Sequence, residues 1–200
     1  MFVTFEGIDG AGKSTQARML AEALGSETLL LREPGGTELG ERLRTLLKDP
    51  SVSLTARTEL LLFAAARAEL VARAIKPALA AGRDVVCDRF YDSTVAYQGI
   101  ARGVGERRVV EVNEVAIDGC RPDRTVLLRV DPRAALERGA GRGDFGVDRF
   151  EREGADFQRR IGEAFERIAE REPGRLVAVD ATGDPDTVHR EVVATLGLER

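Results

Sequence analysis

The segment "FVTFEGIDGAGKST", residues 2–15, restricts the fold of this chain more than any other. A short apolar run typical of a buried strand leads into a glycine-rich stretch, and a helical pattern follows. Gly7, Gly12, Lys13 and Ser14 match the spacing G-x-x-x-x-G-K-[ST]. In that motif backbone N–H groups surround phosphate oxygens, the lysine reaches the terminal phosphates and the hydroxyl binds Mg²⁺. The flanking strand and helix favour such a loop, which binds a nucleoside triphosphate, over a merely structural turn capped by Ser14.

Apolar runs and amphipathic helical patterns alternate along the rest of the chain. Strand patterns occupy residues 2–6, 28–32, 84–88, 125–130 and 175–180. Helical patterns occupy residues 13–25, 38–48, 55–81, 93–100, 106–118, 132–138, 150–171 and 185–196. This alternation predicts an α/β fold, a parallel sheet covered by helices on both faces, with ligands at the carboxyl ends of the strands. No linker or repeat interrupts residues 1–200, so we expect one domain.

One segment, "RGAGRGDFGVDR" at residues 138–149, has the composition of a loop and not of a helix or strand. It contains four glycines and three arginines. Long loops in compact domains often act as lids over a site. We therefore expect a mobile flap here.

Composition excludes several classes of protein. The net charge of −4 argues against general binding of nucleic acid. No apolar run approaches the ~20 residues that span a bilayer, so no membrane association is predicted and a cytoplasmic location is expected. Cys87 and Cys120 match no metal-binding spacing, and reduced thiols are expected.

Asp88 and Arg89 follow the third predicted strand, in "VVCDRFYDS". A carboxylate at the end of a strand beside the phosphate loop is well placed to hold Mg²⁺ or its waters, and the arginine to reach a phosphate. An ion pair at the end of the strand is the structural alternative. The phosphate loop favours the functional interpretation.

Two pairs of residues share a helix face through i, i+4 spacing. Phe63 and Arg67 form one pair, and Thr94 and Gln98 form the other. A ring and a planar donor on one face suit a nucleic-acid base. The ring can stack on the base, and the guanidinium can form hydrogen bonds with its edge. Burial of Phe63 in the core and exposure of Gln98 to solvent are the alternatives.

Six motifs together resemble those of thymidylate kinases, which phosphorylate dTMP to dTDP with ATP. They are "FEGIDGAGKST", "REPGGT" (32–37), "LFAAAR" (62–67), "DRFYDSTVAYQG" (88–99), "RPD" (121–123) and "DRFE" (148–151). The resemblance covers nearly the whole chain. It implies a P-loop NTPase fold with a five-stranded parallel sheet and a flexible lid, dependence on Mg²⁺ and a homodimer. The alternatives are a kinase acting on another deoxynucleotide or on a nucleoside, and a nucleotide-binding module without turnover.

The resemblance also implies roles for individual residues. Those around the ATP phosphates are Gly7, Ile8, Asp9, Gly10, Ala11, Gly12, Lys13, Ser14 and Thr15. Those around dTMP are Glu33, Arg44, Phe63, Arg67, Arg89, Thr94, Tyr97 and Gln98. Within that set Phe63 stacks on thymine, Arg67 and Gln98 bond its edge, and Tyr97 crowds the sugar where a ribonucleotide carries its 2′-hydroxyl. Those assigned to Mg²⁺ are Ser14, Asp9 and Asp88.

The source of one catalytic arginine differs between members of this family. Some carry it inside the phosphate loop, where this chain has Gly10 and Ala11. Others supply it from the lid, and this chain resembles that type. The three candidates are Arg138, Arg142 and Arg149. We expect Arg142 to contact the transferred phosphoryl group, and Lys13, Asp9 and Arg89 to complete the catalytic set.

Overall fold

Five strands form one parallel sheet in the computed structural model, which describes residues 1–139, 150 and 153–199. The strands are β1 (Phe2–Glu6), β2 (Leu29–Arg32), β3 (Val85–Asp88), β4 (Arg124–Arg129) and β5 (Leu176–Asp180). Their order is β2-β3-β1-β4-β5, so β1 lies at the centre. The α/β class and all five predicted strands are confirmed, each to within one residue at either end.

Nine helices are described around this sheet. They are α1 (Lys13–Leu24), α2 (Glu38–Lys48), α3 (Ala56–Leu70), α4 (Lys76–Ala80), α5 (Tyr91–Thr94), α6 (Glu106–Ile117), α7 (Pro132–Gly139), α8 (Gly154–Arg171) and α9 (Pro185–Leu196). Two π-helical segments, Val71–Ile75 and Val95–Ala101, continue α3 and α5. Within the described residues, no helix has both the length and the apolar character needed to cross a membrane.

The helix expected over residues 55–81 is divided by the first π-helical segment. Lys76 donates its backbone N–H to the Val71 carbonyl, five residues back. Pro77 follows, and proline has no N–H to donate and crowds the carbonyl four residues before it. A widened turn just before a proline relieves that crowding. The helix expected over 150–171 begins, in its described part, at Gly154.

Side chains of the sheet pack into an apolar cluster on each of its faces. On β3, Val86 contributes to one cluster, whereas Val85 and Cys87 contribute to the other. Successive side chains of a strand point to opposite faces, so a strand covered on both faces is apolar throughout. All five residues of β1 are buried for this reason. Cys87 and Cys120 are free thiols, as expected.

The pairing of the strands positions the site. Phe5 of β1 and Arg32 of β2 both lie opposite Asp88 of β3. Parallel strands end at the same edge of the sheet, and the three segments that follow them therefore meet. These segments are the phosphate loop, the Asp88–Arg89 turn and the stretch that begins at Glu33.

Candidate active site

The carboxyl edge of the sheet opens into a pocket of about 320 Å³. All eight residues assigned to dTMP line it: Glu33, Arg44, Phe63, Arg67, Arg89, Thr94, Tyr97 and Gln98. Residues of the phosphate loop that line it are Asp9, Gly10, Gly12, Lys13, Ser14 and Thr15. Gly7, Ile8 and Ala11 belong to the loop but not to the pocket wall. The fold thus brings both predicted sets to one cavity, of a size typical for a small ligand.

Two glycines of the phosphate loop have conformations that other residues would strain. Gly7 has φ 139°, and a Cβ there would lie 2.7 Å from the Leu128 carbonyl oxygen. Gly10 has φ 80°, and its Cβ would lie only 2.0 Å from the Ala135 carbonyl oxygen of α7. A side chain at position 10 therefore requires α7 to move. The structure gives a physical reason for the absence of an arginine at this position.

Lys13 is buried at the first turn of α1 and spans the phosphate loop. Its Nζ donates to the Ile8 carbonyl oxygen at 2.6 Å. Burial lowers the pKa of Lys13 to about 8, and the neighbouring Arg89 charge adds to the shift. An anion in the loop would favour the charged form, as opposite charges raise the pKa of a lysine.

Ser14 and Asp88 meet at the mouth of the loop. The Ser14 hydroxyl donates to Oδ2 of Asp88. The other carboxylate oxygen, Oδ1 of Asp88, is buried and has no hydrogen-bond partner among the described residues. A hydroxyl beside a carboxylate with one unpaired oxygen is a donor set that suits Mg²⁺. Within the described part of the chain, no group of three His, Cys, Asp or Glu side chains is placed to hold a metal.

Asp9 lies at the centre of a network that joins three elements. It accepts from Arg89 Nη2 at 2.5 Å, from the Tyr97 hydroxyl at 3.2 Å and from Gln158 Nε2 at 3.0 Å. Burial alone would raise the pKa of Asp9, but the charges of Arg89 and Lys13 outweigh it and the net pKa is lowered. The carboxylate is therefore held ionised beside two cations.

Arg89 is strained and held by many partners. Its φ of 71° lies in the left-handed region, which is costly for a residue with a side chain. Nη1 donates to the Gly7 carbonyl oxygen at 3.1 Å and to Ser93 Oγ at 2.9 Å. The guanidinium also lies 5.1 Å from the centre of the Tyr97 ring. These contacts fix the cation at the pocket wall next to the phosphate loop.

Glu6, the last residue of β1, supports the turn that carries Arg89. Its Oε1 accepts from the backbone N–H of Phe90 at 2.8 Å and of Ser93 at 3.1 Å, and its Oε2 accepts from Ser93 Oγ at 2.5 Å. Burial raises the pKa of Glu6 to about 7, and the Asp92 charge adds to the shift.

Arg67 is buried at the other end of the pocket, with 1% of its surface exposed. It pairs with Glu33 through Nη2 and Nε, at 2.5 and 2.9 Å from Oε2, and Nη1 donates to Asn113 Oδ1 at 2.8 Å. A solvent-exposed position for Arg67 is thereby excluded. Glu33 precedes a cis bond to Pro34, whose carbonyl oxygen accepts from Arg44 Nη1 at 3.0 Å.

Phe63, Thr94 and Gln98 complete this end of the pocket. Phe63 is half-buried and packs edge-on against Phe150, with ring centres 6.0 Å apart, so burial in the core is excluded. Thr94 is buried, and its hydroxyl has no partner among the described residues. Gln98 is also buried, contrary to the exposed alternative, and its Nε2 donates to Glu59 Oε1 at 2.6 Å.

Of the three arginines that the sequence assigned to a lid, only Arg138 lies among the described residues. It belongs to α7 and donates to two backbone carbonyls after β5, those of Ala181 at 2.7 Å and Thr182 at 2.9 Å. Its guanidinium therefore fastens α7 to that loop. Arg142 and Arg149 lie outside the described residues.

Several residues of the site were missed by sequence reasoning. They are Glu6, Glu59, Ser93, Asn113, Phe150 and Gln158. One signal was present: Gln158 interrupts the apolar face of α8, where its neighbours Phe157 and Ile161 are buried. A polar residue on such a face is buried with them and needs a partner, here Asp9.

The model of the thymidylate kinase family matches residues 5–192. The chain is 45% identical to a thymidylate kinase of Prosthecochloris aestuarii, over 100% of this chain and 94% of that protein. It is also 45% identical to one of Halothermothrix orenii, over 96% of this chain and 94% of that protein. A crystal structure of thymidylate kinase from Ehrlichia chaffeensis superposes with a TM-score of 0.80 and 38% identity, over 98% of each chain. The fold is that of the P-loop NTPases, and this chain belongs to the thymidylate kinase family.

Proposed function

We propose that the pocket transfers the γ-phosphoryl group of ATP to dTMP, with the residue roles described below. ATP-dependent phosphorylation of dTMP is the activity of the family. One observation carries the assignment of residues: the phosphate loop and a buried polar base site face the same pocket. The nucleoside-kinase and non-catalytic alternatives are not favoured by relatives this similar.

ATP binds at the phosphate loop, residues 7–15, against the N-terminus of α1. Backbone N–H groups and the positive end of a helix attract phosphate oxygens. Lys13, already held inside the loop, exchanges its Ile8 contact for the β and γ phosphates. Ser14 and Asp88 would hold Mg²⁺, with Asp9 near it, and the cation would supply positive charge to the phosphates.

dTMP binds across the pocket with its phosphate near Arg89. This guanidinium sits beside the loop, so it can place the acceptor oxygen in line with the γ-phosphate. Arg44 and Glu33 border this position. Little covalent work falls to the protein, because phosphoryl transfer depends mainly on alignment and on neutralising charge.

The thymine base lies at the Arg67 end of the pocket. Phe63 stacks on it, and Thr94 lies beside it. Arg67 and Gln98 bond the base edge. Tyr97, clamped between Asp9 and Arg89, faces the sugar and disfavours a 2′-hydroxyl.

Charge on the transferred group is neutralised from the lid in this proposal. Residues 1–200 form one nucleoside monophosphate kinase domain whose lid spans about 138–149, and Arg142 approaches the γ-phosphate. Two observations support this choice: position 10 has no room for an arginine, and Arg138 is already bonded to Ala181 and Thr182.

A homodimer is part of the proposal. Large apolar side chains are exposed on two helices that pack against each other, α3 and α6. Leu61 on α3 is 58% exposed, and Val110 and Val115 on α6 are 41% and 82% exposed. We place the subunit interface at these two helices, where a partner would cover these side chains.

A Lys13→Ala variant tests the assignment at the phosphate loop. Turnover of ATP with dTMP should fall by several orders of magnitude, while the thermal unfolding temperature stays near that of the parent. ADP release and dTDP formation measure the first, and a melting curve measures the second. Turnover within tenfold of the parent would remove Lys13 from the mechanism.

A further inference from the structure

We infer that Glu59 is a positioning residue that fixes the direction of the Gln98 amide, so that the pocket accepts thymine and uracil and rejects cytosine. The inference rests on the proposed function, since it assumes that Gln98 faces the base. At issue is whether Gln98 presents a hydrogen-bond acceptor or a donor to the base.

Glu59 and Gln98 form a buried pair, each with 1% of its surface exposed. The pair joins the first turn of α3 to the π-helical segment Val95–Ala101. Oε1 of Glu59 accepts from Gln98 Nε2 at 2.6 Å and from Arg102 Nε at 2.8 Å. The carboxylate thus holds one donor from this segment and a second from Arg102, the residue that follows it.

The chemistry of this pair leaves the amide a single orientation. An ionised carboxylate only accepts hydrogen bonds, so the NH₂ group of Gln98 must face Glu59. The carbonyl oxygen, Oε1 of Gln98, is then left for another partner. Within the described residues no hydrogen bond reaches that oxygen, and Gln98 lines the pocket. The pocket therefore offers the base an acceptor at this position.

Arg67 offers the base the opposite character. A guanidinium has only donors, five in all. Each of its three nitrogens donates to Glu33 or Asn113, which leaves a second N–H on Nη1 and on Nη2, and Arg67 lines the pocket. A donor beside an acceptor complements thymine and uracil, which present the O4 acceptor next to the N3–H donor. Cytosine presents an amino donor next to the N3 acceptor, the reverse arrangement.

Thr94 cannot make this distinction. Its hydroxyl, without a partner in the described part of the chain, can donate or accept according to its rotation. Discrimination at N3 therefore depends on a group whose direction is fixed. Glu59 fixes that direction from a position that does not line the pocket.

A Glu59→Gln change in an Arg102→Met background tests the inference. Arg102 donates to the same Oε1 as Gln98 and would hold a glutamine carbonyl oxygen there; without Arg102, the glutamine can present either an acceptor or a donor to Gln98, which then turns freely. We expect kcat/KM for dTMP to fall and that for dCMP to rise, so that the dTMP:dCMP ratio drops at least tenfold. The dTMP:dUMP ratio and the KM for ATP should not change, because thymine and uracil share the same edge.

Two further variants control for structural damage. Arg102→Met alone removes another partner of Glu59 but leaves the Glu59–Gln98 bond, and should keep the dTMP:dCMP ratio of the parent. In a Gln98→Leu background, Glu59→Gln should cause no further change in that ratio. Should Glu59→Gln not fold, Glu59→Asp, which keeps the charge but withdraws the oxygen from Gln98, should lower the same ratio.

The outcomes separate the inference from the proposed function. A parent protein that does not phosphorylate dTMP contradicts the proposed function. A parent that does so, with a folded Glu59 variant that keeps the dTMP:dCMP ratio within twofold, overturns the inference alone. An equal fall with Arg102→Met would also overturn it, since the effect would then follow the ion pair and not the amide.

Discussion

Arg67 has a structural role in addition to its proposed contact with the base. Its guanidinium and the Glu33 carboxylate are both almost fully buried, with 1% and 3% of their side chains exposed. Burial raises the pKa of Glu33, and the charge of Arg67 opposes that shift. Removing one partner of such a pair leaves an uncompensated charge in the interior. The residue proposed to contact the base thus also holds the segment after β2 in place.

An Arg67→Ala variant should therefore lose both dTMP use and stability. Breaking a buried ion pair costs ~3–5 kcal/mol of unfolding free energy. Arg42→Ala is the matched control, because Arg42 pairs with Glu38 on the surface and is 76% exposed. We expect little effect there in urea unfolding, and an unchanged KM for ATP in any Arg67→Ala protein that folds. An Arg67→Ala protein as stable as the Arg42→Ala protein, with unaltered dependence on dTMP, would refute both roles.

At the level of elements, β1 carries a buried carboxyl group directly before the phosphate loop. Glu6 holds the Phe90–Ser93 turn through two backbone N–H groups and one hydroxyl. Burial raises the pKa of this carboxyl from the ordinary value of 4.5 to about 7. The folded protein therefore keeps this proton at a pH where the unfolded chain has released it. Stability contributed by the protonated form is lost as pH rises from about 4.5 to about 7.

Glu6→Gln should remove this part of the pH dependence. Glutamine resembles the protonated carboxyl group and does not titrate. The free energy of unfolding, measured with urea at pH 5 and pH 8, should fall less with pH in the variant than in the parent. An identical decrease in both proteins would show that Glu6 does not titrate in this range.

Substitution of the arginines assigned to the lid tests which of them acts on the transferred phosphoryl group. Arg142→Ala should lower kcat by roughly 10³–10⁵, with much smaller changes in KM, because such an arginine acts on the transition state. Arg138→Ala should chiefly lower the stability of the contact between α7 and the loop after β5, since Arg138 donates to the Ala181 and Thr182 carbonyls. Measuring kcat separately for Arg138→Ala, Arg142→Ala and Arg149→Ala ranks the three residues. A larger loss of kcat for Arg138→Ala or Arg149→Ala would assign the catalytic role to that residue. Near-parental kcat values for all three variants would exclude catalysis by a lid arginine.

Sequence patterns predicted the strands and the phosphate loop but not the π-helical segments. The strands are continuous apolar runs, and the phosphate loop has a strict spacing, so both were found from residues alone. The π-helical segments Val71–Ile75 and Val95–Ala101 have no comparable periodic signature, and they depend on Pro77 and on tertiary contacts. Glu59 and Asn113 could not be found, because their partners Gln98 and Arg67 lie far away in the sequence.

For the whole molecule, the order of the strands explains why distant motifs act together. β1 lies between β3 and β4, and β3 lies between β1 and β2. The phosphate loop therefore neighbours Arg89, and Glu33 follows on the next strand. Arg67, the proposed contact of the base, lines the same pocket as the loop and Arg89.

The most direct test of the account is the comparison of kcat/KM for dTMP, dUMP, dCMP and thymidine, with ATP and Mg²⁺, by dTDP or equivalent product formation. We predict the highest value for dTMP. The value for dUMP should be lower by roughly 10–200-fold, since a single methyl group discriminates on that scale. Thymidine should not be phosphorylated, because it lacks the phosphate that Arg89 is proposed to position. A higher kcat/KM for thymidine or dCMP than for dTMP, or the absence of any product from dTMP, would contradict the account.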